Sequence, residues 1–290
     1  MLLPRARLLL PLLFSLILVL PTFSHASQKV LVSVHPLALL VKSAWPVLEV
    51  DALVPANQSP HDFSLKPSDM RKVHDANGVI WLGPEFEPFL VKLMGQHNNH
   101  IQLNGLLEEE GHTDSQPMAQ SNEHHDEHDH HDPHLWLQPE VIPEVLAVIQ
   151  KKWSLPVPKQ FLTKYQAWMG KASKSLKPLR SQGFISYHSA FEPWVKYFEL
   201  NQLDVVTNNP EKPVGTRHVV QVRNILESGS ARCMFVEPQF KGRLLKKLSK
   251  GLDVKTINID PLASLYKIKS ANFMAFYDEL LNQFELCLKP

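Results

Sequence analysis

The sequence predicts an α/β protein of two similar lobes, each a mostly parallel sheet flanked by helices, joined by a long connecting helix. Three observations carry that expectation. The chain has 290 residues, too many for one small core and suited to two lobes. Short apolar strand-like runs alternate with helix-like segments, as in parallel sheets covered by helices. The alternation occurs twice, on either side of a polar stretch and two long helical segments.

The first segment reads as a removable leader. Arg5 and Arg7 precede the apolar run LLLPLLFSLILVL (8–20), and Ser24-His25-Ala26 follows with small residues where a signal peptidase reads. This is the pattern of a secretory signal peptide over 1–26. The run is shorter than the ~20 apolar residues of a spanning helix. No cysteine lies near the cleavage site to carry a lipid anchor. The mature protein is expected to start near Ser27, outside the cytoplasm, in the periplasm.

A first α/β lobe is expected over 27–155. KVLVSV (29–34) reads as a strand, and PLALLVKSAW as a helix opened by Pro36. VLEVDALV (47–54) is a second strand, and a helix from Pro67 ends at Asn77-Gly78. GVIWLG (78–83) is a third strand, followed by a helix over 85–96 and the short strand HIQL. From about 105 to 133 the periodicity dissolves, and long stretches of that kind are functional or disordered. Order resumes at HLWLQPE (134–140), with a helix from Pro139 to Trp153.

The connecting helix is expected within 156–182, from near Pro158 to about Arg180. Phe161, Leu162, Tyr165, Trp168, Met169 and Leu176 form one apolar stripe along it. The second lobe, 183–290, repeats the alternation. Its strands are FISY (184–187), QLDVVT, CMFVEP (233–238) and VKTINI (254–259), and its last helix runs to about Leu288.

Composition narrows the function. A hydrophobic share of 44% and a charged share of 20% are ordinary for a globular chain. A formal net charge of +1 leaves no basic stripe to follow phosphates, which argues against a nucleic-acid partner. The 15 histidines are the outlier. In open parallel sheets, ligands bind beyond the carboxyl ends of the strands. Metal-binding side chains at such positions are His61 after the second strand, His188 after FISY, and Asp260 after VKTINI. His134 starts the ordered chain after the polar stretch. Two come from each half, as a site between lobes requires. Three neutral imidazoles with a carboxylate or water suit tetrahedral Zn²⁺. An anionic fourth ligand such as Asp260 offsets part of the dication. His35 follows the first strand and could face the cleft but is not taken as a ligand, His74 and His218 on helices read as structural or exposed, and Glu237 reads as a supporting or structural carboxylate, not a ligand.

The words around these residues resemble the zinc-specific branch of the cluster A-I metal-binding proteins of ABC importers, the ZnuA type. SPHDFSLKPSD (59–69) is similar to that family's first-ligand motif, with His61. HLWLQPE after an acidic, histidine-rich insert is similar to its second, with His134. YHSAFEPW is similar to its third, with His188. WLGPEFEPF, NPEKPVG, FVEPQF and IDPLA resemble further family segments in the same order. The resemblance covers essentially the whole mature chain. It implies a periplasmic solute-binding protein, not an enzyme, that captures Zn²⁺ and delivers it to a membrane permease driven by an ATPase. It also implies Asp260, a water or a nearby carboxylate as the fourth ligand, and a monomer. In manganese-binding relatives a carboxylate stands where this chain has His188, and hard Mn²⁺ prefers oxygen while imidazole suits zinc.

Cys233 and Cys287 are the only cysteines. Export favours a disulfide over two metal thiolates, since closed zinc sites use more ligands at close spacing. The pair also matches the family's disulfide positions. The insert EHHDEHDHHDPH (123–134) holds six histidines and five carboxylates. His124, His125, His128, His130 and His131 form an auxiliary set expected to bind metal weakly, because a flexible chain must lose entropy to wrap an ion. Three rival readings are a manganese importer component, a periplasmic zinc buffer and a secreted zinc hydrolase. The last lacks both H-E-x-x-H and G-x-S-x-G.

Overall fold

The computed structural model describes residues 28–106, 133–240 and 243–289. The leader and the auxiliary histidines His124, His125, His128, His130 and His131 lie outside these. Among the described residues no helix is long and apolar enough to cross a membrane.

Two four-stranded parallel sheets form the frame, as the double alternation predicts. The first contains β1 (Lys29–Val32), β2 (Glu49–Ala52), β3 (Gly78–Trp81) and β4 (His100–Gln102), in the order β2-β1-β3-β4. The second contains β5 (Gly183–His188), β6 (Asn201–Thr207), β7 (Ala231–Val236) and β8 (Lys255–Asn258), in the order β6-β5-β7-β8. The shared order means each sheet grows first one way and then the other. A crevice therefore opens at the carboxyl ends between β1 and β3, and between β5 and β7. β3 is buried along its whole length, the mark of a strand covered on both faces.

The helices are α1 (His35–Ala44), α2 (Pro67–Asp75), α3 (Val91–Met94), α4 (Ile142–Trp153), α5 (Lys159–Leu176), α6 (Glu192–Phe198), α7 (Thr216–Glu227), α8 (Arg243–Ser249) and α9 (Asn272–Leu288). Two depart from expectation. The helix expected over 85–96 is a 3₁₀ turn at Pro88–Leu90 followed by the single turn α3. Pro88 has no amide to offer, and the Glu87 carboxylate turns back to accept the Leu82 amide at 2.6 Å. The connecting helix stops at Leu176 and tightens into a 3₁₀ turn, Lys177–Leu179, around Pro178.

At ~1.5 Å per residue, the 18 residues of α5 make a strut long enough to cross between the lobes. Its buried stripe of Phe161, Tyr165, Trp168, Ala172 and Leu176 joins one apolar core that also takes in α1, α9 and strands of both sheets. Several polar atoms inside this core are paired, and two of these bonds cross the halves. Trp136 Nε1 donates to the Pro261 carbonyl at 2.7 Å, and the Tyr277 hydroxyl donates to the Trp136 carbonyl at 2.7 Å. The Tyr165 hydroxyl donates to the Pro139 carbonyl at 2.7 Å. Such pairing is required of buried groups, because an unmatched one costs about 1–3 kcal/mol.

Cys233 on β7 and Cys287 on α9 form a disulfide with Cα atoms 5.6 Å apart, fastening the last helix to the second sheet. In the chain-entropy description a loop of this length contributes about 4 kcal/mol. Replacing both cysteines by alanine is expected to lower the unfolding free energy by about that amount, measured by urea denaturation of the zinc-free protein. Unchanged stability would show that the bridge constrains nothing in the unfolded chain.

Glu87 is a buried carboxylate. Burial pushes it up to about 7, against the opposing pull of the Ser33 hydroxyl and the Leu82 and Gly83 backbone. The folded state therefore holds a proton that the unfolded chain releases near the ordinary value of 4.5. Between those two values stability falls as pH rises. Glu87→Gln is expected to remove that fall, so the variant gains on the wild type as the pH goes from 4.5 to 7. Parallel stability–pH curves for the two proteins would contradict it.

Candidate metal centre

Each of the three histidines is delivered by a different device. β2 ends at Ala52 and its loop leads to a 3₁₀ turn, Pro60–Asp62, that carries His61. The Ser59 hydroxyl caps this turn by accepting the His61 amide at 3.3 Å. His61 is exposed. His134 immediately precedes the 3₁₀ turn Leu135–Leu137. Its ring lies edge-on to Trp136 at 5.3 Å, and Trp136 is the residue fastened to Pro261 and Tyr277. His188 is the last residue of β5, set by the sheet itself. His134 and His188 are only 4% and 2% exposed, so the centre has two buried sides and one open one.

The three rings meet. Their centroids are 5.7 Å apart for His61 and His134, 5.3 Å for His61 and His188, and 5.2 Å for His134 and His188. One ring nitrogen from each lies within 4.8 Å of the others. Ligands on tetrahedral zinc at ~2.05 Å are about 3.4 Å from one another. The rings thus need to draw in by about an ångström or so to share an ion. Both ring nitrogens of His188 are buried without a hydrogen-bond partner. Buried polar atoms are normally satisfied, and an ion between the rings would satisfy one of these. The donor set fits Zn²⁺, for which imidazole is a good borderline ligand.

Asp260, expected as a fourth ligand, is not brought into this group. Its Oδ1 accepts from Gln239 Nε2 at 2.6 Å and the Leu262 amide at 3.0 Å. Its Oδ2 accepts from the Ser264 amide and hydroxyl, both at 2.6 Å. The carboxylate is thus engaged in shaping the turn that follows β8. Among the described residues no other cluster of histidine, cysteine or carboxylate ligands gathers. His35 instead makes a 2.8 Å hydrogen bond to the Tyr266 carbonyl. Burial holds its ring below the ordinary value of 6.5. His218 hydrogen-bonds the Val205 carbonyl at 2.6 Å, and His74 is exposed.

Two carboxylates stand beside the histidines: Glu237, read from the sequence as a supporting carboxylate, and Glu87, which the sequence reading did not single out. Glu237, the residue after β7, is buried, and its Oε1 lies 3.5 Å from His188 Nδ1. Glu87 lines a cavity of about 180 Å³ together with Glu85, His61, His134 and Asn209. The signal for Glu237 was its place just past a strand end, the same rule that picked out His188. For Glu87 no comparable signal existed, since it lies in a stretch that reads as helix.

Comparison with known proteins identifies the family. Residues 30–287 match the family described as zinc-uptake complex component A, periplasmic. The high-affinity zinc uptake system protein ZnuA of Yersinia pestis is 31% identical, with 96% of each chain covered. The protein of the same description from Haemophilus ducreyi is 26% identical over 91% of this chain and 94% of its own. A crystal structure of ZnuA superposes with a TM-score of 0.68 at 20% identity, covering 89% of this chain and 99% of that one. That of AdcAII from Streptococcus pneumoniae gives 0.69 at 19% identity, covering 91% and 98%. At such identity the structural likeness speaks for the fold, and the sequence match over nearly the full length speaks for the family. On that match the chain belongs to the ZnuA family, the periplasmic component A of zinc-uptake complexes.

Proposed function

We propose that this chain captures Zn²⁺ in the periplasm with high affinity, as the solute-binding protein of an ABC importer, and hands it to the membrane permease. The observation that carries this reading is the meeting of His61, His134 and His188, remote in sequence, within 4.8 Å. Zinc is cargo here, and the protein breaks no bond. The three imidazoles bind the ion, and a water entering from the His61 side completes the tetrahedron, since Asp260 already accepts four hydrogen bonds. Residues 27–155 and 183–290 are the two lobes, and 156–182 spans them. Cleavage after Ala26 releases a soluble monomer that docks on a permease powered by a cytoplasmic ATPase.

His188→Ala is expected to weaken zinc binding by more than about 100-fold, beyond what loss of a supporting residue costs. Competition with a chelator of known affinity measures it. Wild type should prefer Zn²⁺ to Mn²⁺ in the same assay, and equal or tighter Mn²⁺ binding would refute the zinc reading.

The auxiliary histidines gather further zinc loosely and keep it close to His134, at high effective concentration. Deleting 111–132 should lower the number of zinc ions bound while sparing the tightest one, as calorimetric titration would report. Loss of the tight site on deletion would mean that the insert builds the centre itself.

A further inference from the structure

We infer that Glu237 is a positioning residue for His188, presenting its Nε2 to the ion and supplying a buried negative charge beside it. The inference rests on the reading above that the three histidines hold Zn²⁺.

The sheet order puts the two side chains together. β5 and β7 are the parallel neighbours between which the second sheet reverses its growth, and Ser186 pairs with Phe235. Continuing that register two residues sets His188 opposite Glu237. The observed contact agrees: Nδ1 of His188 faces Glu237 Oε1 at 3.5 Å, with both side chains almost fully buried. With Nδ1 taken up by Glu237, Nε2 is the nitrogen left for an ion. Phe240 closes over the pair, its ring edge-on to His188 at 6.1 Å. Glu237, Gln239 and Phe240 all line the small cavity where the three histidines meet.

Two physical needs point to a carboxylate at this place. A ligating imidazole binds through one nitrogen and donates from the other, and the acceptor fixes the tautomer and the plane of the ring. An N–H to carboxylate hydrogen bond is about 2.7–2.9 Å long, so the 3.5 Å contact needs only a small shift of the ring to close. Charge is the second need. Three neutral imidazoles leave the dication uncompensated in a site with two buried sides, where water screens little. Asp260 gives its lone pairs to four donors, whereas Glu237 directs an oxygen at a ligand ring. A positioned carboxylate also raises the basicity of the imidazole that binds.

The test is a double-mutant cycle on the mature, disulfide-bonded protein, read as zinc affinity by chelator competition. Glu237→Ala is expected to weaken binding by about 10- to 100-fold. Glu237→Gln, the same shape with an acceptor oxygen but no charge, should weaken it less. In a His188→Ala background Glu237→Ala should cost much less, because the carboxylate acts mainly through that ring and only its residual charge effect remains. ¹⁵N-detected NMR of the zinc-loaded wild type should show the His188 proton on Nδ1, and Glu237→Ala should alter that resonance. Wild-type affinity in both Glu237 variants would overturn the inference. So would an undiminished loss in the His188→Ala background, which would make Glu237 a ligand or an independent charge. If His188→Ala itself leaves affinity intact, the ligand assignment fails first. If His188→Ala weakens binding and the Glu237 variants do not, only the positioning role fails.

Discussion

The metal centre is divided between two sheets, so its geometry is only as fixed as the distance between them. That distance is set by packing. One apolar core runs from α1 through α5 to α9 and touches strands of both sheets. Protein interiors are close-packed and resist small displacements, so a core shared by two lobes behaves as one rigid body. At its centre Trp168, Trp194 and Tyr277 stand with ring centroids 5.0–5.6 Å apart. Trp136 extends this cluster toward the metal by two residues of backbone. Its indole is tied to Pro261 in the second half, and its carbonyl to Tyr277. His134 therefore inherits its place from contacts with the opposite lobe.

The electrostatic arrangement follows from the same burial. A dry site strengthens every charge interaction inside it, but also raises the cost of an uncompensated ion. Neutral imidazoles avoid mutual repulsion when no ion is held, which three carboxylates in the same place could not do. The carboxylate of Glu237 stands instead beside the His188 ring, on its Nδ1 side. Asp260 is used otherwise. With both oxygens accepting hydrogen bonds in the turn after β8, it holds Gln239 on one side and the Leu262–Ser264 backbone on the other. That turn includes Ala263 in the left-handed region at φ 53°, an uncommon conformation for a residue with a side chain and one that needs such support.

How much of this is written in the sequence depends on the range of the interaction. Strands such as GVIW and FISY are apolar because both faces of a parallel sheet are covered, so the local pattern suffices to find them. Strand ends are where such sheets bind ligands, which made His61 and His188 legible once the strands were known. The turn at Pro88–Leu90 was not legible, because a run with helical composition gives no sign that Glu87 folds back on the Leu82 amide. Glu237 and Asp260 show the limit most clearly. Both follow a strand closely and both carry a carboxylate, and the sequence reading put Asp260 at the metal and Glu237 in support with no local feature able to check that ranking. What separates them is sheet order and side-chain partners: β7 neighbours β5 and faces His188 with Glu237, while β8 lies at the edge and Asp260 meets donors from its own turn. Those are long-range facts, and periodicity carries no information about them.

The three histidines also differ in how firmly they are held. His188 belongs to a sheet strand and His134 to a turn locked by Trp136, both buried. His61 sits on a three-residue 3₁₀ turn that contains no buried residue. Local freedom in a folded protein concentrates where buried apolar contacts are few. His134 and His188 thus form a buried pair, with His61 as the exposed third member. Domain closure around a ligand usually calls for a hinge of a few residues that absorb large backbone rotations. Here the span between the lobes is α5, an 18-residue helix packed along one side into the common core. A packed helix cannot absorb such rotations without breaking its own hydrogen bonds, so α5 offers no place within it for a hinge.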